Sequence, residues 1–244
     1  MGSTVRLYTA PLSILLTAIV LVAAFNYYAG EAYEPPILLN PKFKYFTFDV
    51  ETNGSKPYLW EVAVTKGPGD FAYVAEETIE GRHCLGLHIY QDGLNDSYNW
   101  VTIHVKQEVA GSSWDRLYTS RIGLWLYANF SYVYFKETSD PRNAFGIEIN
   151  DGTHILWFLF SDKNEGVYEL KNHRIVVIKT PLKKWVYREI NISREYEAAG
   201  WDKPEYASFI LLLGSTKLVP GYYNGYFAEI SINEAHGDGG ESFG

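Results

Sequence analysis

Short segments in which apolar and polar residues alternate recur along most of the chain. Three of them, residues 122–130, 144–150 and 154–160, are rich in aromatic or β-branched residues and are bounded by Asn, Asp, Gly or Pro. This pattern is typical of consecutive antiparallel strands. In the first segment, alternate residues from Ile122 to Phe130 share one apolar face, which we expect to lie in the core.

The same alternation predicts which residues of the neighbouring strands point inward. The expected inward residues are Phe46, Phe48 and Val50, then Leu85, Leu87 and Ile89, and then Val101, Ile103 and Val105. Residues 207–213 form a continuous apolar run, which predicts a central strand buried on both faces. Residues 193–199 hold the one plausible helical turn, with Ser193 as its N-cap.

These elements predict the fold class. About ten to twelve strands, scarcely any helix, closely spaced turns and no repeat are typical of an all-β protein. We therefore expect a two-sheet antiparallel jelly-roll sandwich over residues 45–233, preceded by one N-terminal transmembrane or signal helix.

The first 30 residues form the expected membrane anchor or signal segment. Residues 7–30 carry no charge, and residues 7–25 would make a helix about 28 Å long, close to the thickness of a bilayer core. Arg6 is the only early charge, which places the N-terminus in the cytoplasm and the rest outside. A cleaved signal peptide is the alternative. Both place the main domain outside the cytoplasm, either on the cell surface behind a single membrane pass or secreted.

The segments on either side of the sandwich are predicted to lack regular structure. Residues 31–44 contain Pro35, Pro36 and Pro41 and read as a Pro-rich stalk. Residues 234–244 are rich in Gly, and we expect them to form a flexible tail.

Charge and composition narrow the possible partners. The net charge of −8 argues against nucleic acid, whose phosphates select basic surfaces. Cys84 is the single cysteine, so no internal disulfide is possible, and its alternating apolar surroundings predict a buried small hydrophobe. Four Asn-x-Ser/Thr sequons agree with an exported glycoprotein; they begin at Asn53, Asn95, Asn129 and Asn191.

Four segments together resemble a known class of protein. They are an acidic, aromatic strand at 46–51, a Gly-x-x-x-Leu-x-Leu strand at 81–87, a late Trp before an amphipathic strand at 184–190, and an aromatic-acidic closing strand at 225–232. Their order resembles that of jelly-roll carbohydrate-binding modules of the galactose-binding-like or concanavalin-like kind, over residues 43–232. The resemblance implies a β-sandwich that binds a glycan or polysaccharide.

The best functional clue is an aromatic second face. Trp125 and Tyr127 lie on the side of their strand that should be solvated. With Trp100 and Trp157 they could stack on the apolar faces of sugar rings, while polar neighbours orient the sugar. The candidate polar residues are His104, Asn129, Glu148 and Asn150. The alternative is that these aromatics pack beneath loops or against the other sheet.

Carboxylates suggest a calcium site. Asp49, Glu51 and Glu229 lie in the first and last strands, which neighbour each other in many jelly rolls, and Ca²⁺ prefers such oxygen ligands. The alternative is solvated carboxylates at a sheet edge. None of the six histidines has a zinc-site spacing.

Two further functions remain open. Glu148 and Asp151 are the nearest local pair of carboxylates for a polysaccharide-cleaving enzyme, which needs two at a defined separation. Alternatively, the arm at residues 37–45 could add a strand to a neighbouring copy, as in a homo-oligomeric surface filament or sheath.

Overall fold

The computed structural model describes residues 36–91, 100–130, 143–163, 165–216 and 220–233. The chain divides into two compact units, Met1–Pro36 and Ile37–Gly244, and the features below belong to the second. The predicted membrane segment, the first five residues of the stalk (31–35), Asn95 and the tail lie outside the described residues. None of the helices within the described ranges is long and apolar enough to cross a membrane.

The described residues form fourteen strands and two helices. The strands are β1 (Phe46–Asp49), β2 (Gly54–Pro57), β3 (Glu61–Thr65), β4 (Phe71–Ile79), β5 (Arg82–Gln91), β6 (Trp100–Ala110), β7 (Arg121–Ala128), β8 (Asn143–Asn150), β9 (Ile155–Ser161), β10 (Gly166–Leu170), β11 (His173–Lys179), β12 (Val186–Asn191), β13 (Tyr206–Thr216) and β14 (Gly221–Asn233). The helices are α1 (Gly111–Thr119) and α2 (Ile192–Ala199).

The strands form an all-β sandwich, as predicted. The larger sheet has seven strands in the order β10-β11-β9-β8-β13-β6-β3, and the smaller has five in the order β12-β7-β14-β5-β4. A separate hairpin pairs β1 with β2. All pairs are antiparallel except β9 with β11, which are parallel, so the prediction of a wholly antiparallel fold was wrong at that pair.

The three segments between residues 122 and 160 do not form one sheet. β8 and β9 pair with each other in the seven-stranded sheet, but β7 pairs with β12 and β14 in the five-stranded sheet. The strand prediction for each segment is confirmed, and the assignment of the strands to sheets, which the sequence left open, is settled by the register. Periodicity defines the faces of a strand but carries no information on its neighbours.

Inward residues of both sheets form one hydrophobic core. The alternate positions of β7 from Ile122 to Ala128 are at most 1% exposed, and Phe130 beyond it is 5% exposed. The predicted inward residues of β5 and β6 are also buried. β13 lies between β8 and β6 and is buried on both faces from Phe209 to Leu213, which confirms the central strand. Cys84 is buried as predicted, and desolvation raises the pKa of its thiol to about 12.

The prediction for the first strand holds for Phe46, which is half-buried and packs against the core, and was wrong for Phe48 and Val50. Phe48 and Val50 are 64% and 84% exposed, whereas Asp49 is buried. The reason is that β1 pairs only with β2 in the small hairpin and so has no second sheet to cover its apolar side.

One of the two helices was predicted from the sequence, and it begins one residue earlier than expected. α2 begins at Ile192 with Asn191 as its N-cap, because the Asn191 side chain accepts a hydrogen bond from the Arg194 backbone N–H. Ser193, the predicted cap, lies inside the helix and donates to Asn191 Oδ1. The Gly and Ser residues after β6 open α1, a helix that was not predicted and that buries Trp114.

The described part of the arm is bound to its own sandwich. Leu38 and Phe43 are buried in the core. Gln107 Nε2 and Trp60 Nε1 both donate to the Leu39 carbonyl oxygen at 2.8 Å. Transfer of this arm to a neighbouring copy would therefore break contacts already made within the chain.

A buried carboxylate fixes the turn after β8. Asp151 Oδ1 accepts from the backbone N–H groups of Thr153 and His154, while Oδ2 accepts from Tyr196 OH at 3.0 Å and contacts His154 Nδ1. Burial alone would raise the pKa of Asp151, but these hydrogen bonds outweigh it and hold the pKa below its ordinary value.

We expect Asp151→Asn to lower the free energy of unfolding at pH 7 by about 1–3 kcal/mol. Because the folded-state pKa is depressed, the carboxylate stabilises the fold above its unfolded-state pKa of about 3.9, and this stabilisation is lost as pH falls through the folded-state value. Denaturant unfolding between pH 7 and pH 2 measures this. A difference between variant and wild type that stays constant over the whole range would contradict the account.

Candidate functional site

The outward face of the five-stranded sheet is unusually aromatic. Side chains alternate along each strand, so every second residue of β4, β5, β7 and β14 points away from the core. Nine aromatic residues belong to this face: Phe71, Tyr73, Tyr90, Trp125, Tyr127, Trp185, Tyr187, Tyr222 and Tyr226. A solvated sheet face normally carries polar residues, so this composition needs an explanation.

The most open part of this face is an aromatic row of three residues, Phe71, Tyr90 and Tyr222. Register places Phe71 and Tyr222 directly opposite Tyr90 on its two sides. The ring centroids of Phe71 and Tyr90 are 6.0 Å apart, and those of Tyr90 and Tyr222 are 4.6 Å apart. Phe71 is 63% exposed and Tyr222 is 73% exposed. With strands about 4.8 Å apart, the row extends about 10 Å across three strands.

The next residues along the face form a fixed polar and aromatic group. The ring of Tyr73 stacks on His88 at 4.5 Å with 15° between their planes. His88 Nδ1 lies 2.8 Å from Asn224 Oδ1, and His88 Nε2 lies 2.6 Å from Glu77 Oε1. A Cβ at Gly86 would lie 2.6 Å from His88 Nε2, so glycine leaves room for the imidazole. This group holds Tyr73 beside the aromatic row.

Trp125 and Tyr127 lie further along the same face and are half-buried. The Arg82 guanidinium lies over the Trp125 ring at 4.1 Å, and Tyr187 packs beside it. Tyr127 contacts the rings of Trp185 and Tyr226. The two residues predicted from the sequence are therefore part of the aromatic face, but neighbouring side chains pack around them and leave them only partly exposed.

Except for Asn129, the other predicted binding residues belong to the seven-stranded sheet. His104 lies on β6, Glu148 on β8 and Trp157 on β9, all on its outward side. Glu148 is directly opposite Trp157, whereas His104 is displaced from them by two residues of register. Glu148 is 4% exposed and accepts hydrogen bonds from Trp157 Nε1 at 2.9 Å and Asn150 Nδ2 at 3.1 Å. Burial lowers the pKa of His104, although the negative charge of Glu148 acts in the opposite direction. Trp100 begins β6 in this sheet, opposite Thr216.

The predicted residues are thus divided between the outward faces of two sheets. Trp125 and Tyr127 are together on one, and His104, Glu148 and Trp157 are together on the other. Asn129 follows β7 and is exposed, with its backbone N–H donating to the Asn224 carbonyl. The hypothesis of one platform built from all of them does not match this topology.

The three candidate calcium ligands have different neighbours. Asp49 accepts from Thr52 and pairs with Lys56 at 3.0 Å. Glu51 is exposed, and Glu229 lies 3.6 Å from Lys42 Nζ. β1 does not pair with β14, contrary to the premise of the prediction. Within the described ranges, no group of three His, Cys, Asp or Glu side chains could hold a metal ion, and a calcium site stays a prediction.

The carboxylates considered for catalysis also have separate surroundings. Glu148 bonds to Trp157 and Asn150, while Asp151 holds its own turn and Tyr196. Both are occupied by structural hydrogen bonds.

Three predicted glycosylation sites are in the described residues. Asn53 and Asn129 are exposed, and Asn191 is half-buried. The Asn191 cap uses Oδ1, whereas a glycan would attach to Nδ2.

The sequence matches no family model and no curated protein. Solved structures similar to this chain include carbohydrate-binding modules and glycoside hydrolases. The xyloglucanase domain of NopAA, a type three effector from Sinorhizobium fredii in complex with cellobiose, has a TM-score of 0.46 at 11% identity, covering 72% of this chain and 92% of that chain.

Two further structures extend the comparison. The family 30 carbohydrate-binding module of a Clostridium thermocellum cellulosomal cellulase has a TM-score of 0.39 at 11% identity, covering 73% of this chain and 92% of that chain. A family 12 xyloglucanase from Bacillus licheniformis has a TM-score of 0.40 at 9% identity, covering 78% of this chain and 97% of that chain.

Proposed function

We propose that this protein is a carbohydrate-binding β-sandwich and that the outward face of its five-stranded sheet receives the glycan. The observation that carries the proposal is the aromatic row of Phe71, Tyr90 and Tyr222, which lies open on a rigid sheet. The apolar C–H faces of sugar rings stack on aromatic rings, and a surface on strands holds such rings at fixed spacing.

Polar groups beside the row supply the hydrogen bonds that a sugar needs. The phenolic hydroxyls of Tyr73, Tyr90 and Tyr222 can both donate and accept hydrogen bonds. Asn224 is the next outward residue after Tyr222 on β14, so its side chain lies beside the aromatic row. Exposed apolar patches on soluble proteins commonly mark interaction sites, and one rimmed by hydroxyls suits a ligand that is both apolar and polar.

A structural surface subunit is the second candidate, because the same exposed aromatic row could contact another copy of the chain. In such a homo-oligomer, the outward faces of the five-stranded sheets would form the contact between copies. The strand-exchange version is disfavoured by the contacts of Leu38, Leu39 and Phe43 with their own sandwich.

We also propose an extracellular location with attachment through residues 7–25. The charge-free run after Arg6 and the exposed sequons at Asn53 and Asn129 support it. The N-terminal sequence of the native protein distinguishes an uncleaved anchor from a cleaved signal peptide. An intact Met1 indicates the anchor, and a new N-terminus near residue 30 indicates cleavage.

The proposal is tested with a panel of soluble polysaccharides in affinity electrophoresis of the full chain. We expect retardation by at least one of them, with no change in the chain length of the polysaccharide after prolonged incubation. Retardation by none of the panel, combined with concentration-dependent self-association, would instead favour the structural subunit. Shortening of a polysaccharide, abolished by Glu148→Gln, would favour the enzyme.

A further inference from the structure

The aromatic face ends in a pocket of about 560 Å³ that is rich in positive charge, although the chain as a whole carries a net charge of −8. We call it the cationic pocket; it is lined by Lys42, Lys44, Glu80, Gly81, Arg82, His83, Trp185, Ala228 and Glu229. Its three permanent cations are Lys42, Lys44 and Arg82, against two carboxylates.

The walls of the cationic pocket are fixed by the backbone. Glu80 and Gly81 form the tight turn between β4 and β5, both with positive φ, of 50° and 79°. His83 Nε2 donates to the Phe43 carbonyl at 2.7 Å, which ties the arm to β5. Trp185 Nε1 donates to the Ile79 carbonyl at 2.9 Å, and this holds the Trp185 ring at the pocket.

Arg82 is prepared to bind an anion. Its guanidinium lies 4.1 Å above the Trp125 ring and 5.5 Å from the Trp185 ring. Within the described residues its N–H donors make no hydrogen bond, and the nearest carboxylate oxygen, of Glu229, is 4.0 Å away. A planar guanidinium held in this way is suited to bidentate binding of a carboxylate or sulfate.

Lys44 adds a second unoccupied charge. Among the described residues its ammonium has no ion-pair partner, whereas Lys42 lies 3.6 Å from Glu229. Glu229 therefore partly neutralises Lys42 and Arg82 in the absence of a ligand, and leaves a net positive pocket beside an aromatic surface.

The position of the pocket relates it to the proposed glycan face. β4 runs from Phe71 in the aromatic row to Ile79 beside the pocket, a distance of about 26 Å at about 3.3 Å per residue. Tyr73, Tyr226 and Trp125 lie along the way. We infer that the glycan is acidic, and that a carboxylate or sulfate on one of its sugars binds Arg82 and Lys44 while neutral parts of the chain lie on the aromatic residues. This inference rests on the proposed function.

The test measures binding of the full chain to polygalacturonate, to a sulfated galactan and to neutral galactan at low salt. We expect at least one acidic polymer to bind more tightly than galactan. Arg82→Gln and Lys44→Gln should each weaken that binding about tenfold, and salt should reduce the difference because partly exposed charges are screened. Lys171→Gln, an exposed lysine in the β10–β11 turn, should leave binding unchanged.

Glu229→Gln gives a result of opposite sign. Removing this carboxylate frees Lys42 and Arg82, so affinity for the acidic polymer should rise several-fold. The acidic polymer whose affinity changes in these variants identifies the anionic group: polygalacturonate indicates a carboxylate and sulfated galactan indicates a sulfate. If Arg82→Gln alters the melting temperature, Lys44→Gln decides, because the Lys44 side chain has no ion-pair partner to lose among the residues that the structure describes.

Two results overturn the inference in different ways. Equal binding of galactan and the acidic polymers, unaffected by Arg82→Gln and Lys44→Gln, shows that the glycan is not selected by charge and leaves the proposed function standing. If none of the three polymers nor any polysaccharide of the wider panel binds, the inference and the proposed function both fail.

Discussion

Replacing Arg174 with alanine is expected to lower the free energy of unfolding by about 3–5 kcal/mol. Arg174 on β11 is 6% exposed and Glu195 on α2 is 4% exposed. Arg174 Nε and Nη2 lie 3.1 and 3.0 Å from Glu195 Oε2, and Nη1 contacts Glu169. Removal of the guanidinium leaves the Glu195 carboxylate buried beside an empty volume, which is the costly way to break a buried ion pair. Denaturant unfolding at pH 7 measures the change.

Arg194→Ala is the matched control. Arg194 also binds Glu195, through Oε1 at 2.7 Å, but its side chain is 72% exposed. We expect a loss below about 1 kcal/mol, because exposed ion pairs contribute little. Equal losses in the two variants would show that the buried contact has no special role in joining α2 to the seven-stranded sheet.

The second large effect concerns binding. Phe71→Ala combined with Tyr222→Ala should reduce affinity for the bound polysaccharide about 30-fold or more, since truncation of a central aromatic contact typically costs 2 kcal/mol or more. Both side chains are mostly exposed, so the melting temperature should hardly change. Isothermal titration calorimetry with the polysaccharide found in the panel measures the loss.

Tyr206→Ala provides the control for this variant. Tyr206 is 54% exposed at the start of β13 in the seven-stranded sheet. It should retain full affinity. A comparable loss in Tyr206→Ala, or none in the double variant, would place the glycan elsewhere than on the aromatic row.

Alternation along the chain was sufficient to predict the core of the sandwich. It identified the inward residues of β5, β6 and β7, and the continuous apolar run correctly indicated the central position of β13. It failed for Phe48 and Val50, because a strand in an isolated hairpin alternates in the same way as a strand in a sandwich.

The candidate site was predicted only in part. The aromatic second face of β7 pointed to the correct sheet through Trp125 and Tyr127, but sequence gave no strand order, and so Trp157 and His104 were assigned to the same surface. The aromatic row was missed. Phe71, Tyr90 and Tyr222 come from three strands far apart in sequence, and only the register of β4, β5 and β14 brings them together.

The most direct test of the central claim is a crystal structure of the protein with an oligosaccharide of the polysaccharide that it binds. The account predicts sugar density against Phe71, Tyr90 and Tyr222 on the five-stranded sheet. Sugar density on the outward face of the seven-stranded sheet, beside His104 and Trp157, with the aromatic row unoccupied, would contradict it.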